Sequence, residues 1–345
     1  MTFSTYILRQ MTIFRPLFIH QYPDWTLFRY NAQSVTDALG QTRLQEGRLI
    51  GIVDLVSDTE DETRMLAQDI AASYALDGYT LDPEWIRKEI AKKNSASDEI
   101  RNWVGALQNA KLPLTEDRLF AWHAAIGQNK VKKFRTKENS VGPFTGVGAE
   151  RITLEIGRFI DWFENSEQDG AIKAAIAHFW FLTIRPFEDG NGRIARALTT
   201  MLLARSENTT RCEYALNKQI LDQREEYLNQ LARAQSGNGD LTEWILWFLK
   251  TLKNSIKSRE SEIAGLLKKV TFLQRNQQKD LSSRERKIVE AVWNGTLSAV
   301  FSVKDVAAFT GTSHDSALRD VQALIQKGVA RAENKGGRSQ KYSLV

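Results

Sequence analysis

The sequence predicts a mainly α-helical protein, a helical bundle followed by a C-terminal winged helix-turn-helix. Three observations point there. The six prolines (Pro16, Pro23, Pro83, Pro113, Pro143 and Pro186) leave everything from Phe187 onward free of proline. Ile152, Ile156, Phe159, Ile160 and Phe163 recur at helical spacing on one face. Ala171–Ile184 is almost wholly apolar, as a helix in the middle of a bundle must be.

Taken in order, Gln21-Tyr-Pro-Asp-Trp25 reads as a turn feeding an extended stretch. Helical patterns follow over about Ser34–Val56 and Asp61–Leu76, the second stopped by Gly78. Asp82-Pro83-Glu84 restarts a helix, with an N-cap and proline at the first helical position. Periodicity resumes over Ala96–Ala110 and Thr115–Ile126, then fails between Lys130 and Glu150. There Gly142, Pro143, Gly146 and Gly148 mark a loop or short hairpin. Beyond the apolar helix, helices are expected over Ile194–Arg205, Asn217–Gln235 and Leu241–Leu267. Asn276–Asp280 is polar and reads as a linker. In the last 65 residues, helices Ser283–Val292, Ser302–Phe309 and His314–Lys327 precede two short strands, Val329–Ala332 and Gln340–Leu344, around Gly336-Gly337. The expected domains are 1–95, N-terminal and helical; 96–270, the core; 271–280, a linker; and 281–345, the winged helix.

Composition excludes several classes. With 345 residues, 42% hydrophobic and 26% charged, the chain is neither disordered nor collagen-like. Its 47 Lys+Arg and 42 Asp+Glu give a net charge of +5, which permits nucleic-acid contact without arguing for it. Residues 281–345 hold ten Lys/Arg and six Asp/Glu, so most of that excess sits there. One cysteine, Cys212, rules out an internal disulfide framework and suggests a reducing, cytoplasmic setting. No apolar run approaches the roughly 18 residues a membrane span needs. Met1–His20 lacks the apolar core of a signal peptide, and Met11 would serve as a second start. His20, His123, His178 and His314 form no zinc spacing and read as core, rim or isolated residues.

One stretch carries chemistry: Ile184-Arg-Pro-Phe-Glu-Asp-Gly-Asn-Gly-Arg-Ile-Ala-Arg196. Glycines flanking Asn191 let backbone N–H groups turn inward, and the helix that follows adds its positive N-terminal end. That combination suits phosphate. Asp189 at the mouth can hold Mg²⁺ bridging phosphate oxygens. Arg193 and Arg196, three apart, can face one polyphosphate. A four-residue turn alone would be better read as an ordinary turn with solvated arginines; the full stretch behind an apolar helix is not.

The stretch resembles the motif of the Fic family, His-Pro-Phe-x-Asp/Glu-Gly-Asn-Gly-Arg-x-x-Arg, matched here at Pro186, Phe187, Asp189, Gly190, Asn191, Gly192, Arg193 and Arg196. Tyr22-Pro-Asp-Trp25, Gln45-Glu-Gly-Arg-Leu49, Leu81-Asp-Pro83, Trp122-His123 and Gly239-Asp-Leu-Thr-Glu-Trp244 resemble further parts of one Fic subgroup. The resemblance implies a Fic-type helical bundle with a short flap and transfer of AMP from ATP to a hydroxyl of a target protein. It implies Mg²⁺ on Asp189, the α- and β-phosphates on Gly190–Gly192 with Asn191, the β-phosphate on Arg193 and the γ-phosphate on Arg196. Phe187 would anchor the loop and Tyr227 would lie beside adenine, with Leu228 where members often have a second Tyr.

Three departures qualify that expectation. Arg185 stands where the motif has the histidine that accepts the proton of the attacking hydroxyl. A guanidinium has no acceptor lone pair, and losing a positioned base typically costs roughly 10²- to 10⁴-fold in rate. Ser73-Tyr-Ala-Leu-Asp77-Gly78 resembles the family's inhibitory motif, whose Glu pairs with the residue matched by Arg196. Asp77 reaches about 1.5 Å less far. The flap, about Arg135–Glu150, is short and glycine-rich for strand addition by a target.

On the winged helix, His314–Lys327 offers Ser316, Arg319, Gln322 and Gln326 opposite Ala317, Leu318, Val321 and Leu324, with Arg331, Lys335, Arg338 and Lys341 toward the wing. DNA contact and protein docking, including a homodimer, stand level. The expected function is therefore an ATP-binding protein of the AMP-transfer lineage with transfer impaired by Arg185. The alternatives are a nucleotide-responsive DNA-binding regulator and a non-catalytic antitoxin or decoy.

Overall fold

The computed structural model describes residues 17–56, 59–92, 97–126, 133–333 and 340–345. The chain divides into two units, through Ser261 and from Glu262. Met1, Met11, Lys335, Arg338 and the Gly336-Gly337 turn lie outside the described residues.

In the first unit, a short 3₁₀ turn (Ile19–Gln21) leads to α1 (Ala32–Val56), α2 (Thr59–Leu76), α3 (Pro83–Ala91), α4 (Asp98–Gln108) and α5 (Glu116–Ile126). A hairpin of β1 (Ser140–Val141) and β2 (Phe144–Thr145) follows, paired Ser140 with Thr145 and Val141 with Phe144. Then come α6 (Ile152–Asn165), α7 (Gly170–Ile184), α8 (Asn191–Glu207), α9 (Leu216–Asp222), α10 (Arg224–Gln235) and α11 (Thr242–Asn276), which crosses the unit boundary.

The centre is α7, buried from Ala171 to Ile184 as its composition demands. Trp180 meets the rings of Trp25, Phe28, Phe159 and Trp162 at centroid distances of 6.1, 5.2, 5.6 and 5.3 Å. Its lysine, histidine and threonine all find partners. Lys173 Nζ donates to the Ser166 carbonyl and Thr183 to that of Phe179. Thr199 Oγ1 donates to the Ala195 carbonyl, so it accepts from His178 Nδ1 and leaves Nε2 to accept from the Tyr227 hydroxyl. The N-terminal segment is tied in by Arg29, whose N–H donates to Gly239 and whose carbonyl accepts from Leu241. As the sequence indicates, Asp82 caps α3 by accepting from Glu84 N at 3.0 Å, with Pro83 at the first position.

Two helices differ from expectation. The single helix over Asn217–Gln235 is two, broken at Gln223 (φ −117°, ψ 30°). Asp69 accepts from both the backbone and the side-chain nitrogen of Asn217, pinning α9, and α10 restarts after Gln223. The helix expected to stop at Leu267 runs on to Asn276, so the linker expected over 271–280 is helical through Asn276. Phe272, 5% exposed, explains the extension, since it joins the core of the second unit.

That second unit holds α12 (Ser283–Trp293), β3 (Val300–Phe301), α13 (Val303–Thr310), α14 (His314–Gln326), β4 (Ala330–Ala332) and β5 (Tyr342–Leu344). The strands order as β3-β5-β4, all antiparallel, and β3 is a strand the sequence did not announce. Ile288, Phe301, Val306, Ala317, Val321, Leu324 and Tyr342 form its core. Ser282, Ser302 and Ser313 cap α12, α13 and α14.

Candidate functional site

The loop between α7 and α8 is built by its own residues. Phe187 is fully buried, stacked on His123 (4.1 Å between centroids, 6° between planes) and flanked by Phe120 and Phe134. Asn191 closes the loop: its Oδ1 accepts from Phe187 N at 3.0 Å and its Nδ2 donates to the Phe187 carbonyl at 2.7 Å. The Asn191 side chain, which the resemblance sets at phosphate, is thus committed to holding the turn. Gly190, with φ 76°, precedes the first residue of α8. The first N–H groups of α8 have no partner within the helix and face the same side as its positive end.

Arg193 and Arg196 rise from this first turn, 4% and 2% exposed at their side chains. Between them sits the carboxylate of Asp77. Its Oδ2 accepts from Arg193 Nε at 3.1 Å and its Oδ1 from Arg196 Nη2 at 3.0 Å. A methyl group on Gly192 would come within 2.9 Å of that Oδ1, so only glycine allows the carboxylate so close to the helix. Arg196 also donates to the hydroxyl and carbonyl of Ser73, each at 2.7 Å. Arg193 adds Asp189 at 3.2 Å and lies over the rings of Tyr74 and Tyr79 at 5.3 and 5.0 Å. Asp77 thus reaches both arginines despite its shorter side chain. Asp69 and Ser73 lie four residues apart on α2, and Asp77 follows just past its last residue, so this stripe meets Asn217 of α9 and Arg196 of α8.

Electrostatics follow burial. Burial pushes the Asp69 carboxyl up to about 7, against the N–H groups of Asn217 and Lys218 that favour its ionised form. Burial, with the charge of Arg196, pushes His178 down to about 3. Tyr227 is raised to about 12, again chiefly by burial. Tyr227 is 5% exposed, packed on Trp247 (5.6 Å) and Trp244 (6.3 Å) with its hydroxyl on His178. It lies in the core instead of presenting an open face for adenine; Leu228 is the exposed neighbour.

Arg185 ends α7 in the left-handed region (φ 50°, ψ 63°). Its Nε donates to Asn139 Oδ1 at 2.6 Å. Burial and the nearby charge of Arg135 lower its pKa. Two residues not singled out from the sequence shape this corner. Arg135, 3% exposed, donates to the carbonyls of Lys137, Val147, Ile184 and Arg185. Asn139 donates to the carbonyls of Phe187 and Glu188. The signal for both was their place at the start of a segment whose periodicity fails; nothing in residue type alone marks them.

On the second unit, Arg319 and Gln322 are exposed on α14, while Ser316 is half-buried and bonded to Ser313. Among the described residues, no group of three or more His, Cys, Asp or Glu could hold a metal, and no helix is long and apolar enough to cross a membrane.

Comparison with known proteins matches this geometry. Residues 113–203 fit the model of the Fic/DOC family, and residues 18–94 that of a domain of unknown function, DUF4172. Protein adenylyltransferase fic-1 of Caenorhabditis briggsae is 38% identical over 77 residues, 21% of this chain and 15% of that protein. Protein adenylyltransferase Fic of Drosophila grimshawi is 29% identical over 160 residues, 43% of this chain and 31% of that protein. The matched stretches thus span less than a third of these relatives. A Fic family protein from Desulfovibrio desulfuricans G20 superposes with a TM-score of 0.56 at 20% identity, over 91% of this chain and 97% of the other. Fic-1 from C. elegans gives 0.50 at 20% identity, over 66% and 73%. The folded motif loop and the match of residues 113–203 lead to one assignment: this segment is a Fic/DOC family domain, in a chain whose fold is that of solved Fic proteins.

Proposed function

We propose that the chain binds ATP at the α8 N-terminus as a protein of the AMP-transfer lineage, with transfer to a target hydroxyl suppressed by Arg185. The observation that carries this reading is the position of the Asp77 carboxylate. It sits against Gly192 with one oxygen on each of two buried arginines, the place and charge of a phosphate group. Arg193 and Arg196 grip the β- and γ-phosphates once Asp77 withdraws, and the backbone of Gly190–Gly192 holds the α- and β-phosphates.

Mg²⁺ fits this site only together with the nucleotide. Asp189 is a single carboxylate, its side chain 69% exposed, and Mg²⁺ is commonly held by one or two carboxylates plus substrate phosphates. When bound, the ion would neutralise phosphate charge. Arg185 cannot take the proton of an attacking hydroxyl, and His178, buried, held neutral and bonded to Thr199 and Tyr227, does not stand in for it.

The test is intact-mass spectrometry after incubation with Mg²⁺ and ATP, on Asp77→Ala and on Asp77→Ala with Arg185→His. An AMP adduct only on the second supports the reading. An adduct on both removes the role given to Arg185. Neither adduct nor ATP binding by either protein removes the nucleotide reading itself.

A second reading concerns Glu262–Val345, which we take as a winged helix whose α14 meets DNA. Supporting it are the exposed Arg319 and Gln322 on one face of α14 and the three-stranded sheet beside it. Salt-dependent duplex binding lost in Arg319→Ala supports DNA contact, and concentration-dependent self-association without duplex binding supports a docking module.

A further inference from the structure

We propose that Asn139 is a positioning residue that holds Arg185 as a phosphate-gripping side chain and so couples the β1–β2 hairpin to the anion site. The inference rests on the nucleotide reading above and deepens it.

A left-handed conformation is unfavourable for a residue other than glycine, so Arg185 keeps it only because its surroundings hold it there. Three hydrogen bonds do so. The Arg185 N–H donates to the Phe181 carbonyl at 2.9 Å, its carbonyl accepts from Arg135 Nε at 2.6 Å, and its own Nε donates to Asn139 Oδ1 at 2.6 Å. The first two fix the backbone. Only the third fixes the side chain.

Asn139 is fully committed to this loop. Its amide hydrogens go to the carbonyls of Phe187 at 3.2 Å and Glu188 at 2.7 Å. Its own carbonyl accepts from Gly146 N at 3.0 Å, closing the neck of the hairpin. The task needs one acceptor and two donors on a short stem, which a carboxylate lacks and a longer amide would misplace.

Pinning Nε leaves the Arg185 Nη groups without a protein partner among the described residues. The charged and titratable groups acting on Arg185 are Arg135, Tyr227, Asp189 and Asp77, and the last two border the anion site. A guanidinium held at Nε with both Nη groups open is a planar fork for phosphate oxygens. The ligand class is the phosphate chain of a nucleotide. In place of a proton acceptor, the site then holds a third arginine beside Arg193 and Arg196.

The experiment uses the full chain carrying Asp77→Ala, so that no carboxylate competes. ATP with Mg²⁺ is titrated calorimetrically into this parent, Asn139→Ala, Arg185→Ala and the double variant. Each single change should weaken ATP by about tenfold, roughly the worth of one charge-assisted contact. The double variant should bind no worse than Arg185→Ala. Losses that multiply, or an Asn139→Ala protein that binds like its parent, overturn the proposal. Asn139→Asp separates positioning from stability: it keeps the acceptor but loses both donors. It should bind ATP more tightly than Asn139→Ala while melting no higher; affinity that merely follows melting temperature refutes positioning.

A second measurement needs no nucleotide. In ¹H–¹⁵N spectra the Arg185 Nε–H resonance, assigned by its loss in Arg185→Lys, should exchange slowly in the parent and fast in Asn139→Ala. Fast exchange in the parent overturns the pinning of Arg185. A slow resonance with no ATP binding in any variant refutes the nucleotide reading, and with it the gripping role.

Discussion

Replacing Asp77 with alanine should open the anion site. The carboxylate makes two charge-assisted hydrogen bonds, to Arg193 Nε at 3.1 Å and Arg196 Nη2 at 3.0 Å. Each such bond is worth about 1.5–3 kcal/mol when both partners are buried. Two discounts apply. The Asp77 side chain is 24% exposed, so solvent screens part of the attraction. Both arginines also keep other partners, Arg196 on Ser73 and Arg193 on Asp189 and two tyrosine rings. About 2 kcal/mol remains as the net grip of α2 on the site, and an incoming phosphate must overcome it. Asp77→Ala should therefore lower the unfolding free energy by about 2 kcal/mol and tighten ATP binding by about 30-fold. Isothermal titration calorimetry at fixed Mg²⁺ and salt, with urea unfolding of the same samples, reads both. A folded Asp77→Ala protein whose ATP affinity equals that of the parent would refute the idea that this carboxylate holds the phosphate position.

Three further outcomes follow from the same geometry. Gly192→Ala should differ in sign from Asp77→Ala: its methyl group invades the carboxylate position at 2.9 Å, so ATP binding should fall by tenfold or more, and an affinity equal to the parent would contradict the close approach. Arg135→Met should destabilise the chain by about 3 kcal/mol in urea, because the carbonyls of Lys137, Val147, Ile184 and Arg185 lose their donor; a change under about 1 kcal/mol would show that water replaces it. Asp69 and His178 should mask each other's pH dependence. Asp69, raised to about 7 in the fold, stabilises below its ordinary value near 4 and loses that contribution as pH rises through about 7. His178, lowered to about 3, contributes above its ordinary value near 6.5 and loses that as pH falls toward 3. Between about pH 4 and 6.5 the fold holds one proton on the pair and so does the unfolded chain, so the two slopes cancel. Asp69→Asn should expose the His178 slope, with stability rising by up to about 1.4 kcal/mol per pH unit across that window. Urea midpoints at pH 4.5, 5.5 and 6.5 that move in parallel with those of the parent would refute the pairing.

The helices were legible because each carries its own signal. The apolar run of α7 could be buried only inside a bundle, and the glycines around Asn191 could serve only a tight loop opening a helix. Pro83 and Asp82 marked the start of α3 as plainly. Helix ends were less legible. The break at Gln223 follows from Asp69 gripping Asn217 across 148 residues, and the extension of α11 follows from Phe272 packing in the core of the second unit, to which it belongs. Local periodicity contains neither fact.

The site divides in the same way. Asp189, Gly190, Gly192, Arg193, Arg196 and the absence of a base at Arg185 could be read from the motif, since they are consecutive in the chain and their chemistry is that of their side chains. Tertiary structure alone brought Asp77 between the two arginines, turned Asn191 back onto Phe187, enclosed Tyr227, and set Asn139 and Arg135 against the loop. Residue type and spacing determine what a segment can bind and what local shape it prefers. Which buried charge meets which partner depends on helices far apart in sequence packing around α7, where an unpaired arginine or an unsatisfied carbonyl costs too much to remain so.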